Sequence, residues 1–123
     1  MIRHSEKELS LRIDTKNNRI SIHRYTLAQI GDPKFIHFGF HPETMSLIVL
    51  GTWADARRAI RVHFVKSGAF YVYSKPLFDG IRVVCPFYQE PGSYLLRGKR
   101  IKSIPAISFS LRDIIEEAAT EEE

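Results

Sequence analysis

The chain of 123 residues has a single cysteine, Cys85, and so no internal disulfide. A lone thiol suits a reducing compartment, and the protein is expected to be cytoplasmic. Long apolar runs are also missing. The longest aliphatic stretch spans residues 47–50, whereas a helical membrane crossing needs about 20 apolar residues. Residues 1–10 carry charge and no apolar core, so no secretory signal is expected. Catalytic signatures are absent too: no G-x-S-x-G, H-E-x-x-H, C-x-x-C, phosphate loop or G-x-G-x-x-G occurs. No catalytic residue, metal or cofactor is therefore expected. His37 and His41, the closest histidine pair in the sequence, would stand about 13 Å apart along one strand, too far for a shared ion.

Acidic residues are scarce until the very end. All 18 Lys and Arg lie at or before Arg112, together with eight of the 14 acids, so residues 1–112 carry +10 and the last 11 residues −6. A body this basic points to an anionic partner, nucleic acid being the commonest.

Apolar periodicity supplies the fold reading. Leu9, Leu11 and Ile13 alternate with polar residues, as do Ile20 and Ile22, and the Asn17-Asn18 pair suits the positive φ of a tight turn between them. Leu27 and Ile30 share one face of a helical turn that Gly31 and Pro33 close. Strands are expected over residues 35–40, 45–50, 60–64, 70–73 and 81–85. A short helix capped by Ser74 is expected to stop at Asp79-Gly80. Residues 93–96 and 104–109 are expected to pair around a basic turn over 97–102. The spacing of Leu111, Ile114, Ile115, Ala118 and Ala119 predicts an amphipathic helix over 110–120, with a frayed acidic end at 121–123. Displacing the sequence by 50 sets Ile20 on Phe70, Ile22 on Val72 and Leu27 on Leu77, which suggests pseudo-repeats at 9–51 and 60–109. The reading is one α+β domain over 1–123, mostly β, built from tandem strand–helix–hairpin repeats with a C-terminal amphipathic helix.

The cations then group into three sets. Lys16, Arg19, Arg24 and Lys34 flank the first strand–helix unit, Arg57, Arg58, Arg61 and Lys75 the second, and Arg97, Lys99, Arg100 and Lys102 sit near the last hairpin. Such residues supply phosphate contacts, and arginine also reads guanine edges. Tyr25, Tyr71, Tyr73 and Trp53 are available for stacking on bases.

Residues 11–31, LRIDTKNNRISIHRYTLAQIG, resemble the first half of swapped-hairpin DNA-binding domains of the AbrB and MraZ type. Those domains share an apolar strand, an Asp, a turn ending in a basic residue, a second apolar strand and a short helix ending in Leu-Gly. Here Asp14, Lys16, Arg19, Ile20, Ile22, Ile30 and Gly31 follow that plan. The resemblance implies a small β-rich homo-oligomer that regulates transcription by binding double-stranded DNA through basic loops. Lys16, Arg19 and Arg24 transfer by position. The competing expectation is a protein-interaction module that uses the C-terminal helix.

Overall fold

The structure, a computed structural model, describes residues 9–118, apart from the side chain of Ala118. Its elements are β1 (Ser10–Asp14), β2 (Arg19–His23), α1 (Arg24–Ala28), β3 (Phe35–His41), β4 (Ser46–Thr52), β5 (Ile60–Arg61), β6 (Ala69–Tyr73), α2 (Lys75–Val84), β7 (Ser93–Ile101) and β8 (Ala106–Ala118). The fold is α+β and mostly β. All eight strands form one antiparallel sheet in the order β5-β3-β4-β8-β7-β1-β2-β6. The sheet curls so that the chain leaving edge strand β5 turns back into the other edge strand, β6, with the Val65 N–H donating to the Ala69 carbonyl at 2.8 Å within that turn.

Alternation decides what fills the curl. Leu11 and Ile13, Ile20 and Ile22, Leu47 and Val49, Phe70 and Val72, and Ile107, Phe109 and Leu111 point inward and are buried. The helices plug opposite ends. At one end α1 buries Leu27, and the Thr26 hydroxyl lies 3.3 Å from the Ser10 carbonyl. At the other, α2 buries Phe78 and Ile81, and Arg82 donates to the Thr15 carbonyl at 2.7 Å and to Asn18 Oδ1 at 2.9 Å. Tyr88, in a 3₁₀ turn at Pro86–Gln89, is fully buried and donates its hydroxyl to the Leu111 carbonyl. Burial raises its phenol above the usual tyrosine range.

The pairings carry an approximate twofold. Exchanging β1–β4 with β5–β8 leaves the run β5-β3-β4-β8-β7-β1 unchanged when read backwards. Ser21 faces Tyr71, 50 positions on, and Ile48 faces Ser108, 60 positions on. The ten added positions accommodate the longer α2 and the turn that follows it.

Three expectations are corrected. Residues 110–118 are strand, not helix: pairing with β4 ends at Ser110, and Ile114 to Ala118 pair with β7; residues 119–123 lie outside the described part. The helical spacing there arises from bulges. Gly98 faces Phe109 but Leu96 faces Ile114, so β8 gains extra residues and its period of two is broken into steps of three. Residues 81–85 are not a strand: α2 continues through Gly80 to Val84, because Phe78 and Ile81 stack on one buried face. The basic stretch 97–102 is mostly strand; β7 runs to Ile101 and the turn follows it.

Candidate nucleic-acid interface

Strand direction sorts the charges. β2, β4 and β7 finish, and β1, β3, β6 and β8 begin, at the end that holds α1. That end therefore gathers Arg24 at the start of α1, Lys34 before β3, Lys66 in the turn before β6, Arg61 at the close of β5, and Lys99, Arg100 and Lys102 on the last hairpin. All seven are exposed, and none takes part in an ion pair among the described residues. Trp53, 70% exposed, follows β4 at the same end.

The α1 end also carries Asp32 and Asp55. At the opposite end Asp14, Glu43, Asp79, Glu90, Glu116 and Glu117 stand with Lys16, Arg19, Lys75 and Arg82, and several of these charges pair. Lys75 meets Asp79 at 3.0 Å, Arg82 meets Asp79 at 3.8 Å and Arg12 meets Glu116 at 2.8 Å.

Of the ten site residues expected from sequence, Arg24, Arg61, Lys99, Arg100 and Lys102 come together at the α1 end. Arg97 lies on the outer face of β7 nearby, its Nε 3.4 Å from Asp113 Oδ1. Arg57 and Arg58 occupy the loop from β4 to β5, with Arg58 at φ +60°. Lys16 is in the β1–β2 turn, at the opposite end. Arg19 is committed elsewhere: its guanidinium meets Asp14 at 3.2 Å and lies 4.6 Å over the Tyr71 ring, and a hydrogen bond to Tyr73 raises its pKa further. Lys34, expected beside the first strand–helix unit, is here too, and Lys66 joins the cluster only through topology. Its sequence signal is that it precedes a strand, which says nothing about which end of the sheet that strand starts from.

The scaffold under this end is specified locally. The His23 ring caps α1, its Nδ1 accepting from the Tyr25 N–H at 3.0 Å. The Arg24 N–H donates to the Gly68 carbonyl at 2.8 Å, locking the Lys66 turn against α1. Gly68 has φ +94°, and a Cβ there would stand 2.8 Å from His23 Nε2, so only glycine fits. The Arg24 guanidinium lies 4.9 Å over Phe64, which fixes its stem while leaving the residue exposed. The result is a rigid rim of unneutralised cations beside an exposed indole, suited to contacting a polyanion. Among the described residues no group of three His, Cys, Asp or Glu side chains could hold a metal ion. No family model matches the chain, and neither does any curated protein or solved structure.

Proposed function

We propose that the protein binds double-stranded DNA with the end of the curled sheet that carries α1. The observation that carries this reading is the gathering of seven cations outside any ion pair among the described residues at that end, against an opposite end whose cations are largely matched by acids. Phosphate contacts need cations whose charge is not already spent, and Arg24, Lys34, Arg61, Lys66, Lys99, Arg100 and Lys102 meet that condition. Trp53 beside them offers an apolar contact to sugar or base. The resemblance of residues 11–31 to AbrB- and MraZ-type domains supports the same class of ligand. A transcriptional role and homo-oligomer formation follow from that resemblance and belong to the same proposal.

Fluorescence anisotropy with a labelled 20-bp duplex at low salt tests it. Saturable binding is expected, and it should weaken sharply when Lys99, Arg100 and Lys102 are changed together to Gln. Absence of binding to any duplex at low salt overturns the proposal. The interaction-module alternative relied on a C-terminal helix, and residues 110–118 are instead strand, paired with β7 through Ile114, Glu116, Glu117 and Ala118.

A further inference from the structure

The curled sheet closes at one point and gapes beyond it. β5 and β6 are connected by residues 62–68, and the main-chain bonds across that connection, Val65 N–H to Ala69 and Gly68 N–H to Val65, both 2.8 Å, lie at its turn. The equivalent hairpin of the first half, β1–β2, is zipped through Arg12–Ser21, Ile13–Ile20 and Asp14–Arg19.

Main-chain alternation says which groups face the gap. The Val62 N–H donates to the Lys34 carbonyl, so Ile60 and Val62 turn toward β3, and Arg61 and His63 turn toward β6. On the other side, the Arg24 N–H donates to Gly68 and the Ser74 N–H to Asn18. Phe70 and Val72 therefore bond β2, and the N–H and C=O of Tyr71 and Tyr73 point into the gap. Beyond the Val65–Ala69 bond, these facing groups make no main-chain hydrogen bond among the described residues. Two sheet edges thus present unpaired ladders to one another.

The gap is a groove in two connected stretches. A space of about 680 Å³ runs beside Arg61, His63, Tyr71 and Tyr73, over a floor that includes Ile60 and Val72. It continues through about 480 Å³ past Arg58 and Ser74 to Leu77. No Asp or Glu lines either stretch.

We propose that this seam docks an extended peptide strand of alternating acidic and apolar residues. Its main chain pairs with Tyr71 and Tyr73, as in strand addition to a sheet edge. Its apolar side chains face Ile60 and Val72, and its carboxylates face Arg58 and Arg61. Charge complementarity selects the acidic sequence, and the unpaired ladder selects a peptide over a single-stranded nucleic acid. The Tyr71 ring is already covered by Arg19, which removes it as a stacking platform.

The probes are three: fluorescein-labelled Val-Glu-Val-Glu-Val-Glu, its Val-Lys counterpart, and oligothymidylate. The wild-type chain is expected to bind the Glu peptide at least tenfold more tightly than the Lys peptide. Amide hydrogen exchange at Tyr71 and Tyr73 should slow on adding the Glu peptide. Changing Arg58 and Arg61 together to Gln should weaken Glu-peptide binding at least tenfold while leaving Lys-peptide binding no weaker. Equal binding of the Glu and Lys peptides, binding of oligothymidylate alone, or unchanged exchange at Tyr71 and Tyr73 would each overturn the proposal, the last without any need for the variant to fold.

Discussion

Replacing Gly98 by alanine puts a methyl carbon 2.6 Å from Phe109 Cε2 and 2.9 Å from Ile107 Cγ2. Ordinary carbon–carbon contacts lie at about 3.5–4.0 Å, so the new methyl is roughly an ångström too close. Both neighbours are 0% exposed and have no route outward, and Gly98 sits opposite Phe109 in the β7–β8 ladder. Its φ is not in the left-handed region, so the cost is one of packing alone. Overpacking of this kind destabilises by about 1–3 kcal/mol. For a domain between the small and large classes, each 1 kcal/mol lowers Tm by about 4 °C, so Gly98→Ala should melt roughly 4–12 °C lower. Chemical denaturation followed by tryptophan fluorescence and calorimetry reads this. The partner variant Phe109→Leu removes the nearest clashing atom, Cε2, and leaves Ile107 Cγ2 in place. The double variant Gly98→Ala/Phe109→Leu should then be more stable than the sum of the two single changes predicts, by about 0.5–3 kcal/mol. A neutral Gly98→Ala, or strict additivity in the cycle, would refute the pairing of β7 with β8 at this position and with it the strand assignment of residues 106–111.

Two further substitutions probe the opposite end of the sheet. Gly80 lies inside α2 with nothing within 4 Å of an added Cβ, so Gly80→Ala should stabilise by about 0.5–1 kcal/mol through helix propensity and chain entropy; destabilisation would mean that the helix stops where the sequence suggested. Burial raises the Tyr88 phenol above its ordinary value of 10.0. The folded state then holds that proton more tightly than the unfolded state, so stability is flat below about pH 10 and falls above it. Tyr88→Phe should be less stable at pH 8, for loss of the bond to Leu111, yet lose stability less steeply above pH 10 than the wild type. Parallel pH curves for the two proteins would contradict this.

Much of the fold was legible in the chain. The β1–β2 hairpin, the closure of α1 at Gly31 and the capping of α2 by Ser74 each rest on local chemistry: alternation, a positive φ at Asn18 and Gly31, and a hydroxyl that accepts from the Leu77 N–H at 3.2 Å. What was misread depended on distant partners. The bulges that turn β8 into a false helical pattern belong to its pairing with β7, a strand distant in sequence. Gly80 looked like a helix stop, yet the burial of Phe78 and Ile81 against the sheet outweighs the glycine penalty. The candidate site was half legible. Residue type identified the cations, but only strand direction separates Lys16 from Lys99 by the length of the sheet, and only tertiary contacts show Arg19 to be held by Asp14 and Tyr71.

The salt dependence of duplex affinity, compared between the two ends of the molecule, tests the central claim most directly. Each phosphate contact contributes about 0.9 to the slope of log K against log salt. Changing Lys99, Arg100 and Lys102 to Gln should therefore reduce the slope by up to about 2.7. Changing Lys16 and Lys75 at the far end to Gln should leave it unaltered. Equal effects from the two sets, or a larger effect from Lys16 and Lys75, would contradict binding through the α1 end.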